Sequence, residues 1–246
     1  GWAVDTVVFE QYRDQGTRTY LPVPFAIVVG GDGEAWGFHV DTTRRCWFDV
    51  GASDADLLWV EVATDATVHG TTVDVRTWSG RPNQVLGGFL AHVGQPALPP
   101  DWVFRPWASA NEWNSQARVE AEIGRSLDEG IPVGAVVIEA WSDEASFLRF
   151  ADTVGEPVPG DRRPRLEDFT FPADGKWPDP VGMVEKLHEQ GVRVLLWQIP
   201  VLPDHVDDPQ LDADRRHLVG SGWAIREEDG TPYRNRGWWF PGALLP

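Results

Sequence analysis

Along residues 1–95 apolar and polar positions alternate with a period of two, the mark of strands that rest one face on a core. The stretches 1–10, 25–29, 35–40, 45–50, 57–62 and 72–78 each carry this alternation, separated by turn residues, which predicts an antiparallel β region. Gly30-Gly-Asp-Gly33 falls between two of these strands, where glycine supplies positive φ for a hairpin. It is not a phosphate loop: the G-x-G-x-x-G spacing fails at Trp36, and no helix follows.

The period changes at Gln95-Pro-Ala-Leu-Pro-Pro-Asp101, a proline cluster that neither a helix nor a central strand tolerates. It divides the chain into 1–95 and 96–246. Beyond it, 103–110 reads as a strand, and 115–129 reads as an amphipathic helix with Val119, Ile123 and Leu127 on one face and Gly130 as its stop. Residues 131–138 form a second, almost wholly apolar strand, as expected for a strand covered on both faces. A helix over 180–190, closed by Gly191, and a third strand over 192–200 complete a βαβαβ order. That order opens a parallel repeat, either a doubly wound sheet or a (β/α)8 barrel. Three parallel strands cannot close a barrel and would leave an apolar edge bare. The expectation is a fragment whose barrel continues past Pro246.

Composition narrows the chemistry. The 246 residues are 42% hydrophobic and 24% charged, a globular balance, and no apolar run approaches the ~20 residues of a membrane span. A net charge of −17, with lysine only at 176 and 186, argues against nucleic acid or an anionic membrane as partner. The single cysteine, Cys46, excludes an intrachain disulfide framework and a cysteine metal cluster. The six histidines show no H-E-x-x-H spacing. In Asp204-His-Val-Asp-Asp208 the spacing matches no metal motif, so it reads as a solvated loop. No metal or organic cofactor is expected. Fourteen tryptophans are far above the usual share, and flat rings with one polar edge suit a carbohydrate cleft, though large cores also use them.

In parallel α/β architectures functional residues gather past the C-terminal ends of the strands. This selects Ser109-Ala-Asn-Glu-Trp-Asn114, Glu139-Ala-Trp-Ser-Asp-Glu144 and Trp197-Gln-Ile-Pro200. Each holds a tryptophan, and the first two hold carboxylates. A ring packs on the C–H face of a sugar while carboxylates accept from its hydroxyls. Glu139 follows an apolar run, so it either faces an open cleft or is held by an arginine. Trp197 is either core or cleft wall. Trp113 and Trp141 stand at strand ends, and Asp143 and Glu144 could equally form a solvated turn.

At these stretches the sequence resembles glycoside hydrolase family 31, the retaining α-glucosidases and α-xylosidases. Tyr20-Leu-Pro-Val-Pro-Phe25, Val40-Asp-Thr-Thr-Arg44 and Trp47-Phe-Asp-Val-Gly51 are similar to the end of the family's N-terminal sandwich. Val136-Val-Ile-Glu-Ala-Trp-Ser-Asp143 resembles its second barrel strand. Asp168-Phe-Thr-Phe171 and Trp177-Pro-Asp-Pro-Val-Gly-Met183 resemble the approach to the next helix. Gly191 to Pro200 and Trp238-Trp-Phe-Pro-Gly242 extend the likeness over nearly the whole chain.

The resemblance implies an incomplete galactose mutarotase-like β-sandwich over 1–95, followed by the first strands of a (β/α)8 TIM barrel over 96–246. It implies an oligosaccharide or α-glycoside substrate, with no nucleic acid and no membrane. Glu139 falls where the family carries a sugar-binding acid, commonly an aspartate, with Trp141 beside it. Trp197 and Trp239 match two tryptophans that wall the same subsite, and Glu112 and Trp113 border the leaving-group side. Retaining glycosidases need two carboxyl groups about 5–5.5 Å apart. In the family these stand on the fourth and sixth barrel strands, so no catalytic acid is assigned here; both are expected beyond Pro246. A non-catalytic carbohydrate-binding protein, or another α-glycosidase or transglycosidase on the same scaffold, is the rival expectation. A homo-oligomer stays open. The compartment is not legible in the chain, with the cytoplasm the default expectation, and the excess of arginine over lysine points only to a GC-rich bacterial genome.

Overall fold

The computed structural model describes residues 1–8, 15–19, 21–64, 72–142, 147–204, 206–237 and 240–246. The chain folds as two compact units, Gly1–Leu98 and Pro99–Pro246. None of its described helices is long and apolar enough to cross a membrane.

The first unit holds two sheets and one helix. Strands β1 (Trp2–Val8), β2 (Arg18–Thr19), β5 (Cys46–Val50) and β6 (Leu58–Val62) form one sheet in the order β2-β1-β5-β6. Strands β3 (Phe25–Val29), β4 (Ala35–Asp41) and β7 (Asp74–Gly80) form the other, in the order β3-β4-β7. Buried Phe38 and Val40 of β4 pack with Cys46 and Phe48 of β5, so side chains of both sheets share one apolar cluster. The region is not uniformly antiparallel as its alternation suggests, because β1 pairs with β2 in parallel. The Gly30–Gly33 turn joins β3 to β4, with Gly33 at φ 84°. In β1, Asp5 is buried and takes both donors of the Arg45 guanidinium, Nε at 2.8 Å and a terminal nitrogen at 2.5 Å. That arginine holds its carboxyl below the usual carboxylate range.

The sequence pattern does not announce α1 (Pro82–Val93), which closes the β3-β4-β7 sheet. Pro82 starts it, and the Gln84 side chain accepts from the Arg81 N–H at 2.8 Å. Val85 is fully buried, and Phe89 stacks on Phe25 at 4.0 Å between ring centres. Two glycines set the approach of helix to sheet. A Cβ on Gly37 would lie 2.4 Å from Val85, and one on Gly88 would lie 2.3 Å from the Trp78 ring.

The second unit builds a parallel sheet in the order β10-β9-β8, from β8 (Trp107–Ala110), β9 (Ala135–Ile138) and β10 (Arg193–Leu196). Helix α2 (Gln116–Asp128) connects β8 to β9, and α3 (Pro180–Glu189) precedes β10. Val119 and Ile123 of α2 and Met183 and Leu187 of α3 meet Ala110, Val136 and Ile138 of the sheet in one core. The caps are local: Ser115 accepts from the Arg118 N–H, and Asp179 from the Gly182 N–H. Gly130 and Gly191 close the helices at φ 76° and 80°.

The strands are shorter than the apolar runs that predict them. Residues 101–104 form a 3₁₀ turn, and Pro106 delays β8 to Trp107. Pro132 delays β9 likewise, to Ala135. Three parallel strands and no closed barrel are what the described residues of this unit contain. A further helix, α4 (Pro209–Gly220), follows the acidic loop that reads from sequence as solvated. Asp208 of that loop caps α4 and pairs with Arg149 at 2.8 Å, and Asp204 pairs with Arg234. The Gln210 amide of α4 brackets the backbone of Val158, accepting from the N–H at 2.5 Å and donating to the carbonyl at 2.9 Å. The excursion between β9 and α3 is thereby fastened to α4.

Two stability outcomes follow from the first unit. Gly87 has open space where Gly88 has a ring, so alanine at the two neighbours should act in opposite directions. Gly88→Ala is expected to destabilise by about 1–3 kcal/mol through overpacking, and Gly87→Ala to stabilise by up to about 1 kcal/mol through helix propensity. Urea denaturation of both variants reads the two signs, and a stabilising Gly88→Ala would remove the close-approach account. The Asp5 carboxyl has its pKa lowered by folding, so its contribution is complete above the unfolded value of about 4 and is lost as pH falls through the depressed folded value. Asp5→Asn should therefore cost stability at pH 7 and progressively less below pH 4, and a pH-independent difference in unfolding free energy would contradict it.

Candidate active site

The parallel ladder fixes the site. Ala110, Ile138 and Leu196 stand in one register row at the C-terminal ends of β8, β9 and β10. The Trp197 N–H donates to Ile138 O at 3.0 Å, and the Glu139 N–H points to Ala110 O at 3.5 Å. One residue further along each strand lie Asn111, Glu139 and Trp197. Ala110 and Ile138, with Val136, turn into the core beneath the helices. Ser109 and Val137 lie on the opposite face, where Ser109 is exposed and Val137 half-buried.

Glu139 is half-buried and carries no arginine or lysine partner among the described residues. Of the two alternatives open to it in the sequence, the structure holds the arginine-free one. The amide orientation of Asn111 that satisfies its surroundings points the nitrogen at Glu139 Oε1, 3.0 Å away, with Ser109 O at 3.2 Å and Ser109 Oγ at 2.6 Å. The Ser109 hydroxyl donates to the same Oε1 at a longer 3.4 Å. Sequence reasoning passes over Asn111, because only the register shows that it stands beside Glu139.

Trp197 is half-buried, its ring edge-on to Phe147 at 5.0 Å. Phe147 in turn meets Phe240 at 5.9 Å. These two phenylalanines adopt φ of 53° and 48°, a left-handed backbone that bulky side chains rarely take. Such strain persists only where the surroundings hold it, and it gathers at functional sites. Neither residue is singled out by the sequence, since a left-handed φ on a phenylalanine has no composition signal.

Trp141 departs from the sequence expectation. It is 3% exposed, sits in the core cluster, and donates its indole N–H to Trp197 O at 2.8 Å. It offers no ring face to a ligand and instead ties the end of β9 to the end of β10. Trp113 is half-buried and leans on the same core, while Glu112 is exposed on the turn after β8 and makes no side-chain hydrogen bond or ion pair among the described residues. The structure thus joins Ser109, Asn111 and Glu139, sets Trp197 one strand away, and leaves Glu112 apart. Asp143 and Trp239 lie outside the described residues. Among those described, no group of three histidine, cysteine or acidic residues is arranged to hold a metal ion. Chemically, the row offers an acceptor carboxylate at the end of one strand, with a half-buried tryptophan packed on the core at the end of the next.

Residues 96–245 match the model of the glycosyl hydrolases family 31 TIM-barrel domain. The 1,3-alpha-isomaltosidase of Kribbella flavida is 50% identical over 100% of this chain and 34% of its own length. The isomaltosyltransferase of Sporosarcina globispora is 32% identical over 98% of this chain and 22% of its own. The cycloalternan-degrading enzyme from Trueperella pyogenes in complex with isomaltose superposes with a TM-score of 0.92 at 52% identity, covering 100% of this chain and 35% of that one. The same enzyme in complex with a covalent intermediate gives 0.91. The chain spans about a third or less of the length of these relatives. With the family model matching well over half its length, the chain belongs to glycosyl hydrolase family 31.

Proposed function

We propose that this chain forms part of the sugar-binding floor of a retaining α-glycosidase that acts on isomaltose-containing α-glucosides. In this reading, residues 1–95 are the later part of a β-sandwich, and residues 96–246 are the first three strands of a (β/α)8 barrel with the helices between them. The observation that carries the proposal is the Glu139 carboxylate, free of cationic partners among the described residues and held by Asn111 and Ser109 at the strand ends, with Trp197 at the end of the neighbouring strand. Glu139 accepts hydroxyls of the sugar in the cleaved subsite. Trp197 and Trp239 wall that subsite, Trp141 braces Trp197 from below, and Asp143, Glu112 and Trp113 border it. The nucleophile and the acid that complete a double displacement belong to other strands of the barrel. The isomaltose-related names of the relatives support the substrate class, and the covalent intermediate of the T. pyogenes enzyme supports retention.

Glycosyl transfer is a second reading, favoured by the likeness to an isomaltosyltransferase along almost the whole chain. The two differ in whether water or a sugar hydroxyl takes the glycosyl group. Product analysis of the full-length protein with an isomaltosyl donor, with and without added acceptor, separates them.

In the full-length protein, Glu139→Gln should lower kcat/KM on an isomaltoside by about 10- to 100-fold, the loss of charge-assisted hydrogen bonds worth about 1.5–3 kcal/mol. An unchanged kcat/KM would remove Glu139 from the site. The 246-residue chain alone should show no turnover of an aryl α-glucoside, and steady, mutation-sensitive release of the aryl alcohol would overturn the assignment of the catalytic pair to other strands.

A further inference from the structure

An ionised carboxylate offers about four acceptor positions, two on each oxygen. At Glu139 both positions of Oε1 are engaged, by the Asn111 amide at 3.0 Å and the Ser109 hydroxyl at 3.4 Å. Among the described residues, Oε2 has no partner. Both donors come from the β8 side of the row, so among the described residues the carboxylate is held from one flank only. Asn111 is itself held in place: the turn that carries it closes through the Trp113 N–H to Ala110 O at 3.3 Å, and its amide also reaches Ser109 O. A glutamate side chain has three rotatable bonds and would otherwise sample many orientations, losing that freedom only when a ligand arrives.

We infer that Asn111 is a positioning residue for substrate binding: by clamping Oε1 of Glu139 it aims Oε2, whose two acceptor positions no described residue takes, at a pair of hydroxyls on the bound pyranose. The inference rests on the reading of Glu139 as a sugar ligand. It also accounts for the length of the side chain, since a glutamate pinned at one oxygen reaches further from the strand end than an aspartate while keeping a single orientation.

The clamping group has to be a donor, and this gives a signature that a merely structural asparagine would not produce. Asn111→Asp keeps the shape but replaces the amide donor with a carboxyl group beside Glu139. Two carboxylates this close cannot both ionise readily, so one of the pair titrates well above the ordinary range. While the pair holds its shared proton, the protonated carboxyl introduced by the substitution donates to Glu139 and reproduces the original hydrogen bond; once that proton leaves, the like charges repel.

The test is kcat and KM for an isomaltoside across pH, in the full-length protein, for the parent and for Asn111→Asp, Asn111→Ala, Ser109→Ala and Glu139→Gln. Asn111→Ala should raise KM by about 10-fold with kcat little changed and with the parent's pH profile, the loss of uniform binding. Ser109→Ala, which removes the longer bond to Glu139 together with the hydroxyl 2.6 Å from the Asn111 amide nitrogen, should raise KM by about 3- to 10-fold. Asn111→Asp should match the parent at acid pH and fall about 10-fold or more below it as pH rises through the pair's raised ionisation. If Asn111→Ala does not fold, the pH profile of Asn111→Asp decides alone. Parental KM and pH profile in both Asn111 variants, with Glu139→Gln impaired, would overturn the role of Asn111 and leave Glu139 in the site. A parental Glu139→Gln would overturn the sugar reading itself, and the positioning role with it.

Discussion

The register of three short parallel strands is the constraint on which the rest of the second unit depends. Parallel pairing fixes neighbouring strands to one slant and one offset, so the residues that leave the sheet do so side by side. Here that sets the amide of Asn111, the carboxylate of Glu139 and the indole of Trp197 at adjacent strand ends, although whole helices separate them along the chain. A slip of one residue in any strand would turn its contribution into the core and break the row. The caps on α2 and α3 and the packing of Val119, Ile123, Met183 and Leu187 serve this register, because they hold the helices that connect the strands.

The indole of Trp141 adds a second restraint at the same level. Its N–H reaches the carbonyl of Trp197 where the regular ladder has ended. A buried donor without a partner would be costly, and a strand end without a tie would fray. One bond removes both problems and holds the backbone of Trp197 against the end of β9. Of the two left-handed phenylalanines, Phe147 packs on the Trp197 ring and Phe240 packs on Phe147. The aromatic side of the site is therefore held by packing and strained backbone, and the acidic side by hydrogen bonds.

Much of this was legible in the sequence, and the limits have physical causes. The strands of the second unit and the helices α2 and α3 carry clean periodicity and glycine stops, so their order can be read directly. Helix α1 hides because Gly87 and Gly88 dilute its apolar stripe; the glycine that weakens the signal at 88 is the one that admits Trp78. Helix α4 hides because its run is largely polar and charged. The rule that chemistry gathers at strand ends selects Glu139, Trp197 and Trp141 alike, and nothing local tells a half-buried ring such as Trp197 from the buried ring of Trp141. Asn111 escapes because its importance is a relation between two strands. Pro106 and Pro132 stand ahead of β8 and β9, and Phe104 and Ile131, apolar residues that precede them, are exposed, so at these two places hydrophobicity marks neither pairing nor burial.

The grip of Gln210 on Val158 has a bearing on how this scaffold can change. The amide recognises a peptide group, which every position of a chain possesses, and ignores the side chain attached to it. Side chains such as Phe147 and Arg149 add ties of their own, but this one holds whatever the exposed neighbours of Val158 are. Diversity at the exposed positions 154–157 and 161–167 can then accumulate around an anchorage to which Gln210, outside the segment, contributes through the main chain alone.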